Sequence, residues 1–136
     1  MKIEFTVYGK PQTKGRPRFA RVGGFVKTYT PKETLDAEQD FKLQALSKRP
    51  KTPIETEITL KARFYMPIPK SMPKKKLELA LAGLLKPTTK PDLDNLIKLV
   101  KDALNGIYWR DDSLIVSETS DKYYSVMPRT EIEIVY

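Results

Sequence analysis

The stretch KPDLDNLIKLVKDALNGIYWRDD, residues 90–112, carries the strongest structural signal in the chain. Apolar residues recur within it at positions i, i+3, i+4, i+7 and i+11, namely Leu93, Leu96, Ile97, Val100 and Leu104. This spacing predicts a helix with one continuous apolar stripe, because each helical turn takes 3.6 residues. Asn105 and Gly106 are a typical helix end. We therefore expect a helix that begins after Pro91, ends at this pair and packs one face on the core.

The polar face of this helix carries ionisable side chains at regular intervals. Asp94, Lys98 and Asp102 stand at i, i+4 and i+8, opposite the apolar stripe. Asp92 lies two residues before Asp94, so both carboxylates can converge at the positive end of the helix dipole. Either aspartate alone can be explained as an N-cap worth about 1 kcal/mol, but a second adds repulsion that a bound cation would relieve. Lys98 can likewise be only the i+4 partner of Asp94, a pair worth less than about 0.5 kcal/mol.

A second acidic pair, Asp111 and Asp112, follows the helix and precedes a strand predicted from Leu114. Carboxylates at this point can complete a metal site begun at the helix, or they can belong to an ordinary turn. The chain has no histidine and no cysteine, which excludes imidazole bases, thiolate nucleophiles and zinc-thiolate sites. Hard carboxylate ligands favour magnesium or manganese.

The segment from about residue 9 to residue 30 is basic and contains no acidic side chain. Its sequence FARVGGFVKTY predicts a hairpin that turns at Gly23 and Gly24. Aromatic residues alternate with cations, a composition that suits phosphate contacts and stacking on unpaired bases, although the aromatics can instead anchor the hairpin to the core. With a net charge of +8 for the chain, this predicts a nucleic-acid-binding surface. Its candidate residues are Lys10, Lys14, Arg16, Arg18, Arg21 and Lys27.

The rest of the chain predicts strands and helices around this centre. Alternation of apolar and polar residues predicts strands at 2–8, 55–66 and 130–136, and one or two strands within 113–127. Two more helices are expected, the first opened by Thr30 or Thr34 and the second capped by Ser71. 

The expected element order is strand, basic hairpin, helix, strand, helix, helix, strand, strand. This order is typical of an α/β (α+β) sandwich, a mixed β-sheet with helices packed on it, and we expect a single domain over residues 1–136. No apolar run reaches the roughly 20 residues of a membrane span, so a cytoplasmic protein is expected.

The order of PDLDNLIKLVKDALNG, a short aromatic stretch and the pair DD resembles the signature of the RusA-type Holliday junction resolvases. The segment GKPQTKGRPRF at residues 9–19 is similar to that family's opening. The resemblance implies a small homodimeric endodeoxyribonuclease, often carried by prophages, that cuts four-way DNA junctions in recombination and repair. It also implies that Asp92, Asp94 and Asp112 bind magnesium, for which manganese can substitute, and that Lys98 assists catalysis. The connection from Asp102 to the acidic pair is shorter here than in the family pattern, so Asp111 is the alternative third ligand.

Two other functions fit parts of the pattern. A non-catalytic basic DNA-binding protein would use the aspartates only as helix caps. A metal enzyme acting on a nucleotide-sugar would use Asp92 and Asp94 as a D-x-D pair. The positive charge of the chain and the lack of a glycine-rich phosphate loop in its sequence count against the second alternative.

Overall fold

The computed structural model describes residues 1–13, 18–29 and 32–136, and its elements follow the predicted order. They are β1 (Lys2–Tyr8), β2 (Arg18–Val22), β3 (Phe25–Tyr29), α1 (Lys32–Ala45), β4 (Ile58–Pro67), α2 (Lys74–Leu81), α3 (Leu93–Leu104), β5 (Ile115–Ser125) and β6 (Arg129–Val135). Because α1 begins at Lys32, Thr34 lies inside the helix and not at its N-cap position, whereas Thr30 is outside the described residues. Within the described part of the chain, no helix is long and apolar enough to cross a lipid bilayer.

Four strands form one sheet in the order β1–β6–β4–β5. β5 runs parallel to β4, whereas β1 and β4 both pair antiparallel with β6, so the predicted mixed sheet is confirmed. Residues 115–125 form one strand instead of two. β2 and β3 pair separately as the predicted hairpin. At its turn Gly23 and Gly24 have φ angles of 55° and 85°, the left-handed values that a type I′ turn requires.

Helices cover one face of this sheet, and the core lies between the two layers. The inward side chains of β4 are almost completely buried, with Ile58 and Leu60 at 0% exposure. The predicted stripe of α3 is buried from Leu96 onward, and Leu99 and Ala103 widen it. α1 packs against α3 and β1. The predicted sandwich is therefore confirmed, and α3 is held with its apolar face inward and its polar face towards solvent.

The start of α2 differs from the prediction. The helix begins at Lys74, with Pro73 in the N-cap position at φ −61° and no described side chain as a cap, so the assignment of Ser71 as the cap is wrong. A proline ring fixes φ at a value compatible with this position. Leu81 and Leu84 are 54% and 77% exposed, so the apolar side chains at the end of this helix do not contribute to the core.

Two aromatic residues fix the turn between α3 and β5 in the core. Tyr108 and Trp109 are both 0% exposed. The Tyr108 hydroxyl donates a hydrogen bond to the carbonyl of Ala45, and burial raises the pKa of this tyrosine. The backbone of Ile54 makes two hydrogen bonds to this turn. Its N–H donates to the Tyr108 carbonyl at 2.9 Å, and its carbonyl accepts from the Arg110 N–H at 3.0 Å. The backbone that leads to the acidic pair is therefore held from both sides.

Candidate active site

The two aspartates at the start of α3 occupy different positions. Asp92 is the N-cap, and its Oδ1 accepts a hydrogen bond from the Asn95 N–H at 3.3 Å. The capping explanation therefore holds for Asp92, although this bond uses only one of its two carboxylate oxygens. Asp94 lies in the first helical turn and is exposed. A carboxylate in the first turn is stabilised by the helix dipole.

The polar face of α3 forms one wall of an open cleft of about 420 Å³. The residues that line it come from α3, the turn after it and β5, and we call this surface the acidic cleft. They are Asp94, Ile97, Lys98, Lys101, Asp102, Asp112 and Glu118. The structure thus brings together three of the four predicted catalytic residues, while Asp92 lies at the adjoining helix start and does not line the cleft.

Asp111 and Asp112 are adjacent in sequence but have different surroundings. The buried indole Nε1 of Trp109 donates to Asp112 Oδ1 at 2.7 Å, and Asp112 lines the acidic cleft. Asp111 instead caps a short 3₁₀ helix, Asp112–Leu114, by accepting from the Ser113 N–H at 2.9 Å. Hydrogen bonds from Ser113, chiefly from its hydroxyl, lower the pKa of Asp111. Asp112 is therefore the member of the pair that faces the same cleft as Asp94.

Two further charged residues in the acidic cleft were not predicted from the sequence. Lys101 on α3 and Glu118 on β5 form an ion pair at 3.1 Å, and both are about one-third exposed. The helical spacing places Lys101 beside Lys98 on the polar face, a signal that was available in the sequence. Glu118 enters the cleft because β5 pairs with β4, a long-range contact that local patterns do not contain. Among the described residues, no ion pair joins Asp94 to Lys98.

The carboxylates of this region match a hard divalent cation in chemical type, since magnesium and manganese prefer oxygen ligands. Within residues 1–13, 18–29 and 32–136, however, no three acidic side chains are grouped closely enough to form a complete cation site. Asp94 and Asp92 are exposed, and exposed side chains can change rotamer at little cost. The carboxylate oxygens therefore match such an ion in chemical type. In this structure the described carboxylates do not lie close enough together for three of them to coordinate one ion.

The predicted nucleic-acid-binding residues are only partly described. Lys14 and Arg16 lie outside the described residues. Arg18, Arg21 and Lys27 lie on the strands of the hairpin. Their assignment remains a prediction.

Lys10 is exposed and lines a small cavity of about 170 Å³ that is also lined by Lys90 and Pro91. The first cation of the basic segment therefore lies next to the loop that leads into Asp92.

Comparison with known proteins supports one interpretation of these features. Residues 8–135 match the family described as endodeoxyribonuclease RusA. A Bacillus subtilis protein named YqaN, itself described as uncharacterized, is 45% identical over 134 residues, which cover 97% of this chain and 94% of YqaN. The family match spans the hairpin, the acidic cleft and three strands of the sheet, β4, β5 and β6, and it includes only the last residue of β1. The chain belongs to the RusA family of endodeoxyribonucleases, and this membership implies nuclease activity on DNA.

Proposed function

We propose that this protein is a magnesium-dependent endodeoxyribonuclease that resolves four-way (Holliday) DNA junctions by paired symmetric nicks, in DNA recombination and repair. The observation that carries the proposal is the convergence of Asp94, Lys98 and Asp112 on the acidic cleft in a chain of the RusA family. A prophage setting, suggested by the same resemblance, belongs to the proposal as well.

The residues proposed to hold the cation are Asp92, Asp94 and Asp112. A bound magnesium ion, or manganese in its place, would act as a Lewis acid towards the scissile phosphate. Asp112 suits this role because a buried indole orients its carboxylate, and oriented ligands bind metals more tightly. Asp92 contributes from the helix start, where capping fixes its backbone.

Lys98 is proposed to stabilise the charge that develops on the phosphate oxygens. Its side chain is exposed and lies one helical turn from Asp94 in the same cleft. An ammonium group acts there as a point charge, and its attraction to the phosphate oxygens grows as negative charge builds up on them in the transition state. Cleavage with this arrangement is expected to leave a 5′-phosphate and a 3′-hydroxyl.

The DNA would be held by the basic segment, from Lys10 to Lys27, through contacts with its phosphates. One chain offers one acidic cleft, whereas resolution of a junction needs two symmetric cuts. A two-fold homodimer is the simplest assembly that supplies both.

Incubation of the purified protein with a synthetic four-way junction and magnesium is expected to yield nicked duplexes, and EDTA is expected to stop the reaction. Asp94→Asn should bind the junction but not cleave it, because the charge that attracts the cation is lost. The matched control is Asp36→Asn, which removes the same charge from an exposed position on α1 and should cleave normally. Cleavage that survives both EDTA and Asp94→Asn would refute the proposed mechanism.

The alternative function is non-catalytic DNA binding, and the capping role of Asp92 is the observation that favours it. This alternative predicts salt-sensitive binding of the junction without magnesium-dependent turnover. The same assay separates the two, since binding without any product from the wild-type protein supports the alternative.

A further inference from the structure

Lys122 connects β5 to the loop that precedes α3. It pairs with Phe64 of β4 in the parallel register, and Phe64 is a core residue at 1% exposure. Because paired residues on neighbouring strands point to the same face of a sheet, the Lys122 side chain projects towards the helical layer. Its Nζ donates to the carbonyls of Thr89 and Pro91, at 3.0 Å and 2.9 Å.

These two hydrogen bonds hold the backbone immediately before a proposed metal ligand. The Pro91 carbonyl belongs to the peptide group that links Pro91 to Asp92, so its position determines where the Asp92 backbone enters the helix. Asp92 then reaches Asn95 as the N-cap. The chain from 82 to 92 contains no helix or strand of its own, and a charged donor is a strong anchor for such a segment.

The charge of Lys122 is also unusual for its location. A cation near the start of a helix is disfavoured by the helix dipole, and lysines are most often solvent-exposed. Lys122 is only partly exposed. The two carbonyl acceptors, on Thr89 and Pro91, compensate for this placement.

We infer that Lys122 is a positioning residue for the metal site, which acts by fixing the Pro91 carbonyl and thereby orienting Asp92. The inference rests on the proposed function and adds a residue to it. Lys122 itself is not a ligand and does not contact the scissile phosphate. Its loss weakens cation binding, because groups that orient ligands typically contribute about 10–100-fold to metal affinity.

The test compares Lys122→Met, which keeps an unbranched side chain only one atom shorter but removes its donors and charge, with Lys86→Met. Lys86 is the matched control because it lies near the same strand, over the ring of Tyr123 at 5.3 Å, without being one of the groups that hold residues 89–91. Calorimetric titration of Mn²⁺ into the free proteins should give a Kd about 10-fold higher for Lys122→Met and an unchanged Kd for Lys86→Met. Hydrogen exchange at the Asn95 amide should be faster in Lys122→Met alone.

Junction cleavage supplies a second measurement. For Lys122→Met the magnesium concentration for half-maximal rate should rise in parallel with the Kd, while the KM for the junction stays unchanged and excess magnesium restores most of the rate. Lys122→Arg, which keeps charge and donors, should recover most of the affinity. If Lys122→Met does not fold, Lys122→Gln, which removes the charge and shortens the reach of the donor, replaces it and should also raise the Kd for Mn²⁺.

The outcomes separate this inference from the proposed function. If the wild-type protein cleaves and binds Mn²⁺, but Lys122→Met does both with unchanged magnesium dependence and Asn95 exchange, the inference is overturned and the proposed function stands. If the wild-type protein neither cleaves nor binds Mn²⁺, the proposed function fails and this inference fails with it.

Discussion

Asp112→Asn is expected to lower the rate of junction cleavage by about 1,000-fold, which corresponds to a loss of about 4 kcal/mol in transition-state stabilisation. The asparagine keeps the size of the side chain and can still accept a hydrogen bond from the Trp109 indole. It removes the negative charge with which Asp112 is proposed to hold the cation. Single-turnover cleavage of a labelled four-way junction at saturating protein gives the rate directly, so that a change in DNA affinity does not enter the measurement.

Asp111→Asn is the matched control for this experiment, since it makes the same change one residue away. The Asp111 carboxylate accepts from Ser113 and caps the short 3₁₀ helix, so its replacement should leave cleavage near the wild-type rate. The reverse result, loss of cleavage in Asp111→Asn and not in Asp112→Asn, would exchange the two residues in the proposed ligand set. Cleavage at the wild-type rate in both variants would exclude the acidic pair from the mechanism.

Trp109→Ala is expected to have the largest effect on stability, with a decrease of about 3–5 kcal/mol in the free energy of unfolding. Trp109 is the largest of the fully buried side chains in the described part of the chain, and its removal leaves a cavity under the turn that carries Asp112. Urea denaturation followed by far-UV circular dichroism measures the change. A decrease below about 1 kcal/mol would mean that the core closes around the vacancy.

Trp109→Phe separates the packing role of this residue from its polar contact. Phenylalanine keeps much of the apolar volume but has no N–H to donate, so stability should fall by only roughly 1–3 kcal/mol. Asp112 then loses the donor that orients it, and cleavage at limiting magnesium should fall by about 10–100-fold. If Trp109→Phe cleaves like the wild type, the indole contributes to the fold alone.

The fold was largely predictable because its main elements are amphipathic over their whole length. The alternation in β4 and the helical stripe from Leu96 to Leu104 predict which face of each element is buried. These faces are buried in the structure. The start of α2 was not predictable in the same way. Ser71 has the chemistry of a cap, but the position of a helix start depends on backbone geometry that Pro73 sets locally.

The site was predictable where it depends on one helix and less so where it depends on pairing between distant segments. Helical periodicity alone places Asp94 and Lys98 on the same wall of the cleft. Neighbours in a turn can point in unrelated directions, so the sequence could not separate Asp111 from Asp112. Lys122 reaches the loop before α3 only because β5 lies parallel to β4 in one particular register, and no local pattern contains that register.

The bond between the Trp109 indole and Asp112 has a consequence for how this protein can be observed. The chain contains a single tryptophan, so all of its indole emission comes from a ring that is 0% exposed and joined to the acidic cleft through its only polar atom. Emission from an indole responds to the charge at its N–H. The wild-type protein therefore carries an intrinsic optical reporter at Asp112, without a label or a substitution.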